Sequence, residues 1–205
     1  MNEIAHRGYT TKYIKENTLE AFDNAVKNNF LGFECDVRLT KDNIPVICHD
    51  PFIDRCSNGR GLIKEKSYAE LLKYNFGTEE VPSKIPTFVE VMQNYSCIKI
   101  IELKVHINLE PYIKYIDNKT YFISFNPLTI KNIKKKYTDI KAGILLGVID
   151  KVNNYKYDLV CLLDDFTNNN KIINLQQNNI LVFIYGIYGK VKTKNSKIFY
   201  ITNKK

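Results

Sequence analysis

The chain has no tryptophan, only two methionines and only three histidines among its 205 residues. No apolar run approaches the ~18 residues that a membrane-crossing helix needs; the longest clear one lies near Ala142–Ile149. The expectation is therefore a protein without a transmembrane segment. The amino terminus shows no secretory signature, because the first strand is expected within a few residues of Met1. The five cysteines, Cys35, Cys48, Cys56, Cys97 and Cys161, are odd in number and scattered, with no CxxC pair. That pattern argues against a disulfide framework or structural zinc and for reduced thiols in a cytoplasmic protein. The glycines of Asn58-Gly59-Arg60-Gly61 match neither a Walker loop nor a dinucleotide fingerprint, so no nucleotide is assigned to them.

What is present reads as one ordinary globular unit. The hydrophobic fraction is 44% and the charged fraction 25%, and the length suits a single domain over residues 1–205. The net charge of +8 invites a nucleic-acid reading. Much of it, however, is Lys131, Lys134, Lys135 and Lys136, which fall in a predicted amphipathic helix over Pro127–Tyr137. No aromatic residues are interleaved to stack bases, so these lysines read as a solvated helix face and no nucleic-acid partner is expected. The positive field would still favour an anionic small molecule.

The informative stretch runs from Gly32 to Asp50. Its first part is a strand in which Glu34 and Asp36 share one face while Phe33, Cys35 and Val37 share the other. Two carboxylates on one face, about 7 Å apart along a strand, repel unless a positive group lies between them, and a hard divalent cation is the natural occupant. Asp42-Asn43 is a two-residue turn signal. A hairpin centred there pairs Asp36 with His49 and places an imidazole beside a metal-binding carboxylate.

Along the chain, Glu3–His6 is a short strand. Asn17-Thr18-Leu19-Glu20 has capping-box form and opens a helix that buries Leu19, Phe22, Ala25 and Val26. Pro51 to Ile85 reads as an irregular insertion with a short helix at Ser67–Tyr74, and Thr87 with Glu90 forms a second capping box. Apolar strands then recur at Ile98–Leu103, Thr120–Phe125, Lys141–Leu146, Asp158–Leu163, Ile180–Tyr185 and Lys197–Thr202. Connections fall at Leu109–Asp117, Pro127–Tyr137, Lys151–Lys156, Asn169–Gln177 and Gly189–Asn195. Eight strand–connection units predict an α/β protein, a compact (β/α)8 TIM barrel. Typical barrels of this kind use ~250 residues, so truncated helices are expected here, between the fifth and sixth strands and before the eighth. An open doubly wound sheet is the competing fold.

In the barrel, His6, Glu34, Asp36, Glu102 and Lys104 come from three strands and gather at their carboxyl ends, where such barrels carry their chemistry. A Glu inside an apolar strand costs several kcal/mol unless it is paired or binds a metal. Glu102 therefore reads as a third metal ligand with Lys104 beside it as a phosphate-binding group, or as half of a simple ion pair with Lys104. Arg7 offers a fork of donors suited to phosphate. His106 reads as incidental, and Asn17-Thr18 as capping.

The ordered segments His6–Gly8, Glu16–Ala25, Gly32–Asp42, Val46–Asp50, Gly59–Ile63, Ile85–Val91 and Ile100–Lys104 resemble the glycerophosphodiester phosphodiesterases, densely over roughly the first half of the chain. Phe122–Phe125 and Tyr200–Asn203 are thinner matches. The resemblance implies a phosphodiesterase barrel with one divalent cation, Ca2+ or Mg2+, held by Glu34, Asp36 and Glu102. It implies His6 and His49 as general acid and base, Arg7 and Lys104 on the phosphate, and an insertion at Pro51–Ile85. The expected reaction is hydrolysis of a small-molecule glycerophosphodiester to glycerol 3-phosphate and an alcohol. A lyase stopping at a cyclic phosphate and a barrel that only binds remain alternatives. Two departures bear on the leaving alcohol: Phe183-Ile184-Tyr185-Gly186 stands where the family usually carries a tryptophan, and Thr202-Asn203-Lys204 replaces the family's Thr-Asp-Pro ending.

Overall fold

A computed structural model describes residues 2–147, 157–163, 169–186 and 198–203. Among the described residues there are nine strands: β1 (Glu3–Ala5), β2 (Gly32–Leu39), β3 (Pro45–Ile47), β4 (Ile98–Leu103), β5 (Thr120–Ser124), β6 (Lys141–Leu146), β7 (Leu159–Leu163), β8 (Leu181–Tyr185) and β9 (Ile198–Thr202). All but β3 run parallel in the order β1-β2-β4-β5-β6-β7-β8-β9, and β9 returns to pair with β1. The sheet is a closed eight-stranded barrel, and the open-sheet alternative falls away. Strand β3 pairs antiparallel with β2 outside the barrel.

The alternation read from the sequence is present in three dimensions. Residues pointing into the barrel, among them Ile4, Ile100, Ile123, Leu145, Cys161 and Phe183, pack as one cluster. The outward-facing Phe33, Cys35 and Val37 pack with Phe22 and Phe88 in a larger layer beneath the helices. The helices are α1 (Leu19–Lys27), α2 (Tyr68–Leu71), α3 (Phe88–Asn94), α4 (Pro127–Lys136) and α5 (Asn169–Gln177). Between β4 and β5 the connection shrinks to a 3-10 segment, Glu110–Tyr115. The expected connections at 151–156 and 189–195, where the other truncations were placed, lie outside the described residues.

Capping chemistry explains the helix starts. Ser67 and Thr87 form full capping boxes with Glu70 and Glu90. Helix α1 departs from expectation: Thr18, not Asn17, is the N-cap, and its side chain accepts from the Ala21 amide. Glu20 is thereby shifted off the box position and accepts instead from the Ser83 hydroxyl at 2.8 Å. Phe22 and Ala25 are buried as expected, joined by Ala21, whereas Val26 is exposed. On α4, Ile130 and Ile133 face the core while Lys134 pairs with Asp158 and Lys136 with Glu110.

The segment between β3 and α3 carries its own small core of Ile53, Cys56, Ile63, Leu71, Phe76 and Ile85, packed on Val46 and Cys48. At the opposite end of β2, Gly32 lies so close to β4 that an added Cβ would sit 1.9 Å from the Ile98 carbonyl oxygen. Gly32→Ala is therefore expected to destabilise the barrel by about 3 kcal/mol, read as a lower urea midpoint at unchanged m-value.

Candidate active site

The mouth of the barrel is assembled by register. Pairing of β2 with β4 sets Asp36 directly beside Glu102, and pairing of β1 with β2 sets Ala5 beside Phe33, which puts His6 just past the strand next to Glu34. Carboxylate oxygens of Glu34, Asp36 and Glu102 come within 4.8 Å of one another. All three side chains are almost wholly buried, at 4%, 1% and 8% exposure.

Two cations lean over this cluster. Lys104 Nζ lies 2.6 Å from Glu102 Oε1 and 3.1 Å from Asp36 Oδ1. Arg7 Nε lies 3.4 Å from Asp36 Oδ2, and its Nη1 donates to Glu16 at 2.9 Å. Burial raises the Asp36 carboxyl, but Lys104, Arg7 and the Asn17 amide outweigh it and hold Asp36 below the usual range. Glu34 and Glu102 are pushed up, chiefly by burial and then by the neighbouring carboxylates. Lys104 and Arg7 thus hold Asp36 charged, while the Glu102 carboxyl stays raised despite its 2.6 Å contact with Lys104. Asp36 Oδ1 and Arg7 Nε are buried without a hydrogen-bond partner. Hard oxygens sharing one calcium ion sit up to about 5 Å apart, so the all-carboxylate donor set and its spacing fit a divalent cation.

Both histidines reach the mouth, though not by the expected route. The β2–β3 register pairs Val37 with Ile47 and Arg38 with Val46, so the residue opposite Asp36 is Cys48, whose amide donates to the Asp36 carbonyl at 2.9 Å. The hairpin slips by one residue because its loop is not a two-residue turn. Ile44 N–H bonds the Thr40 hydroxyl, Thr40 N–H bonds the Ile44 carbonyl, and Asn43 takes a left-handed φ of 59°. His49 follows the strand and is steered by its own contacts: Arg38 Nε donates to its carbonyl at 2.7 Å and its Nδ1 bonds Asp50 at 2.6 Å. Its ring lies close enough to act electrostatically on both Asp36 and Glu102. His6 Nε2 lies 3.9 Å from Glu34, the His6 side chain hydrogen-bonds Asn203, and burial followed by Arg7 lowers the His6 pKa. His106 is exposed on the surface, apart from the cluster.

Residues 6–121 match the profile of the glycerophosphoryl diester phosphodiesterase family, more than half of the chain. The chain belongs to that family. It is 33% identical over 159 residues to a glycerophosphodiester phosphodiesterase of Caldanaerobacter subterraneus subsp. tengcongensis, covering 69% of this chain and 65% of that protein. A glycerophosphodiester phosphodiesterase of Bacillus altitudinis is 37% identical over 171 residues, covering 74% and 69%. The chain thus spans just under two thirds of the length of the first of these relatives. Among solved structures, a phosphodiesterase of Oleispira antarctica in complex with the product sn-glycerol-3-phosphate superposes with a TM-score of 0.80 at 25% identity, over 91% of this chain and 85% of that one. An Agrobacterium tumefaciens glycerophosphodiester phosphodiesterase shares the fold at a TM-score of 0.81 and 17% identity, over 99% and 96%.

Three supporting side chains are not assigned to the site by the sequence reading. Asn17, read as capping, is buried and donates to Asp36 Oδ2 at 2.9 Å while its oxygen accepts from the Asp36 amide at 3.4 Å. The signal was available: only one residue of Asn17-Thr18 can be the N-cap. Arg55 bridges Asp50 and Glu16 at 2.6 and 2.8 Å. Asn203 orients His6 from the far end of the chain. Arg7 and Asn17 both adopt φ of 57°, and Asn17 N–H bonds the Arg7 carbonyl at 2.9 Å, so two left-handed residues clasp each other beneath the site. Asn17→Ala should lower stability by about 2–3 kcal/mol and weaken calcium binding by about tenfold, measured by urea unfolding and calorimetry. Asn17→Gly, which keeps the backbone free of strain, should show the same affinity loss with less destabilisation.

Proposed function

We propose that this protein hydrolyses glycerophosphodiesters to glycerol 3-phosphate and an alcohol, with residues 1–205 acting as one catalytic unit. The observation that carries the reading is the meeting of three buried carboxylates, two histidines, an arginine and a lysine at one mouth of the barrel. The family profile and the product found with the Oleispira relative support it. The five cysteines, all free, suit a reducing compartment, and we place the enzyme in the cytoplasm.

In this mechanism Glu34, Asp36 and Glu102 hold one Ca2+ or Mg2+. When bound, the ion supplies positive charge that offsets the charge building on a nonbridging phosphate oxygen. Arg7 and Lys104, already gathered at the carboxylates, turn donors toward the phosphate and fix its orientation. The Asp50 contact keeps the His49 proton on Nδ1 and leaves Nε2 to take a proton from the attacking hydroxyl. His6, anchored by Asn203, handles the proton on the leaving-group side. The attacking group is the substrate's own glycerol 2-hydroxyl, giving a cyclic phosphate that water opens with the two histidines exchanging roles. Tyr185, at the end of β8, has its hydroxyl pushed up to about 12, first by burial, so it stays protonated and donates to the Leu146 carbonyl at 3.3 Å. It stands near where the family usually carries a tryptophan, so the leaving alcohol is the part of the substrate this chain selects differently.

His6→Ala and His49→Ala should each lower kcat by about 10²–10⁴-fold with the circular dichroism spectrum unchanged, in an assay on glycerophosphocholine and glycerophosphoethanolamine. A loss under about threefold in either would remove that residue from acid–base work. Glu34→Gln and Asp36→Asn should abolish turnover, as should a chelator acting on the wild type. Full activity in the chelator would refute the metal. Phosphorus NMR of the product separates a monoester from an accumulated cyclic diester.

A further inference from the structure

Next to the histidine-bearing segment lies a feature that the hydrolytic chemistry does not use. Cys48 Sγ and Cys56 Sγ face each other at 3.5 Å in the small core of the insertion, at 2% and 9% exposure. Cys48 also contacts the Asp50 carbonyl at 3.6 Å and Cys56 the Ile53 carbonyl at 3.5 Å. The segment from Cys48 to Cys56 contains His49, Asp50 and Arg55, linked in series: Arg55 Nε donates to Asp50 at 2.6 Å, and Asp50 bonds His49 Nδ1 at 2.6 Å. Neither thiol touches the carboxylate cluster through its side chain.

We propose that Cys48 and Cys56 form a peroxide-oxidisable pair whose disulfide displaces His49 and slows turnover. The last clause rests on the phosphodiesterase reading, whereas the oxidation does not. Cys56 is the group attacked first. It is the more exposed of the two, and the hydrogen bond from Cys48, together with the nearby Arg55 guanidinium, favours its thiolate despite burial. The Cys56 thiolate attacks hydrogen peroxide; an S–O bond forms, the O–O bond breaks, and the departing hydroxide takes a proton and leaves as water. The Cys48 thiol then attacks the sulfenic sulfur: the S–S bond forms, the S–O bond breaks, and the departing oxygen takes the Cys48 proton and leaves as a second water. Two thiols are oxidised by two electrons, peroxide is reduced to two waters, and a dithiol reverses the reaction.

The coupling to His49 is geometric. A disulfide needs its sulfurs ~2.05 Å apart, so the pair must close by roughly 1.5 Å in a packed interior that transmits strain. The Cys48 amide is pinned to the Asp36 carbonyl at 2.9 Å. Strand β3 therefore resists, and the strain falls on the loop that carries His49 and Asp50. A displacement of ~1 Å in a catalytic group is enough for a large loss of rate.

The test treats the purified full chain with equimolar hydrogen peroxide and follows intact mass, peptide mapping and glycerophosphocholine turnover. The expected result is loss of two hydrogens, a Cys48–Cys56 cross-linked peptide and about a tenfold or greater fall in kcat, all reversed by dithiothreitol. Cys56→Ala should keep basal turnover and resist peroxide; if it does not fold, Cys48→Ala carries the same comparison. Absence of the cross-link overturns the proposal, and so does a cross-link that leaves kcat unchanged. A chain that cross-links reversibly but never hydrolyses a diester sinks the proposed activity and upholds the thiol pair.

Discussion

Three carboxylates pressed together inside a barrel mouth are the constraint that the neighbouring structure answers. Burial and mutual repulsion both favour protonation, yet Asp36 is kept charged by Lys104, Arg7 and the Asn17 amide. Those partners are themselves pinned: Arg7 by Glu16, Glu16 by Arg55, and Arg55 by Asp50. The charge pattern runs outward from one buried aspartate to the half-exposed rim, and most ionic side chains at the mouth belong to it. Glu34 and Glu102 stay strained toward neutrality, which is the electrostatic signature of a place prepared for an added cation.

The same network ties the two histidines to the carboxylate cluster. His49 is aimed by Asp50 and by Arg38, both on or beside the β2–β3 hairpin, while His6 is aimed by Asn203 at the end of the barrel's last strand. One histidine thus depends on a local hairpin and the other on closure of the barrel. The insertion that follows the hairpin adds a small apolar core beneath His49. That core gives the loop a rigid floor and brings Cys48 and Cys56 together.

How far the site was legible depends on the residue. Glu34 with Asp36 could be read from strand alternation alone, because that period is a property of any extended chain. Glu102 could be read because an acid within Ile100-Ile101-Glu102-Leu103 needs a reason to be there. The hairpin pairing could not. Asp42-Asn43 resembles a two-residue turn, but a Thr40 hydroxyl bond and a left-handed Asn43 make a longer loop, and one residue of slip exchanges His49 for Cys48 opposite Asp36. The helix start at Thr18 misled in the same way, since two adjacent residues competed for one capping position and the loser, Asn17, became a partner of Asp36.

By itself, then, the sequence determined the strand–helix alternation and the identities of the acids and imidazoles at the strand ends, while closure of the sheet was left to the β9–β1 pairing. Periodicity and burial cost are written in the order of residue types and need no partner to be read. Tertiary structure alone decided which side chains serve them: Asn17 and Arg55 on Asp36 and Asp50, Asn203 on His6, and Cys48 against Cys56. Those contacts are set by strand register, loop length and barrel closure, which are relations between distant segments and leave no local trace in the chain.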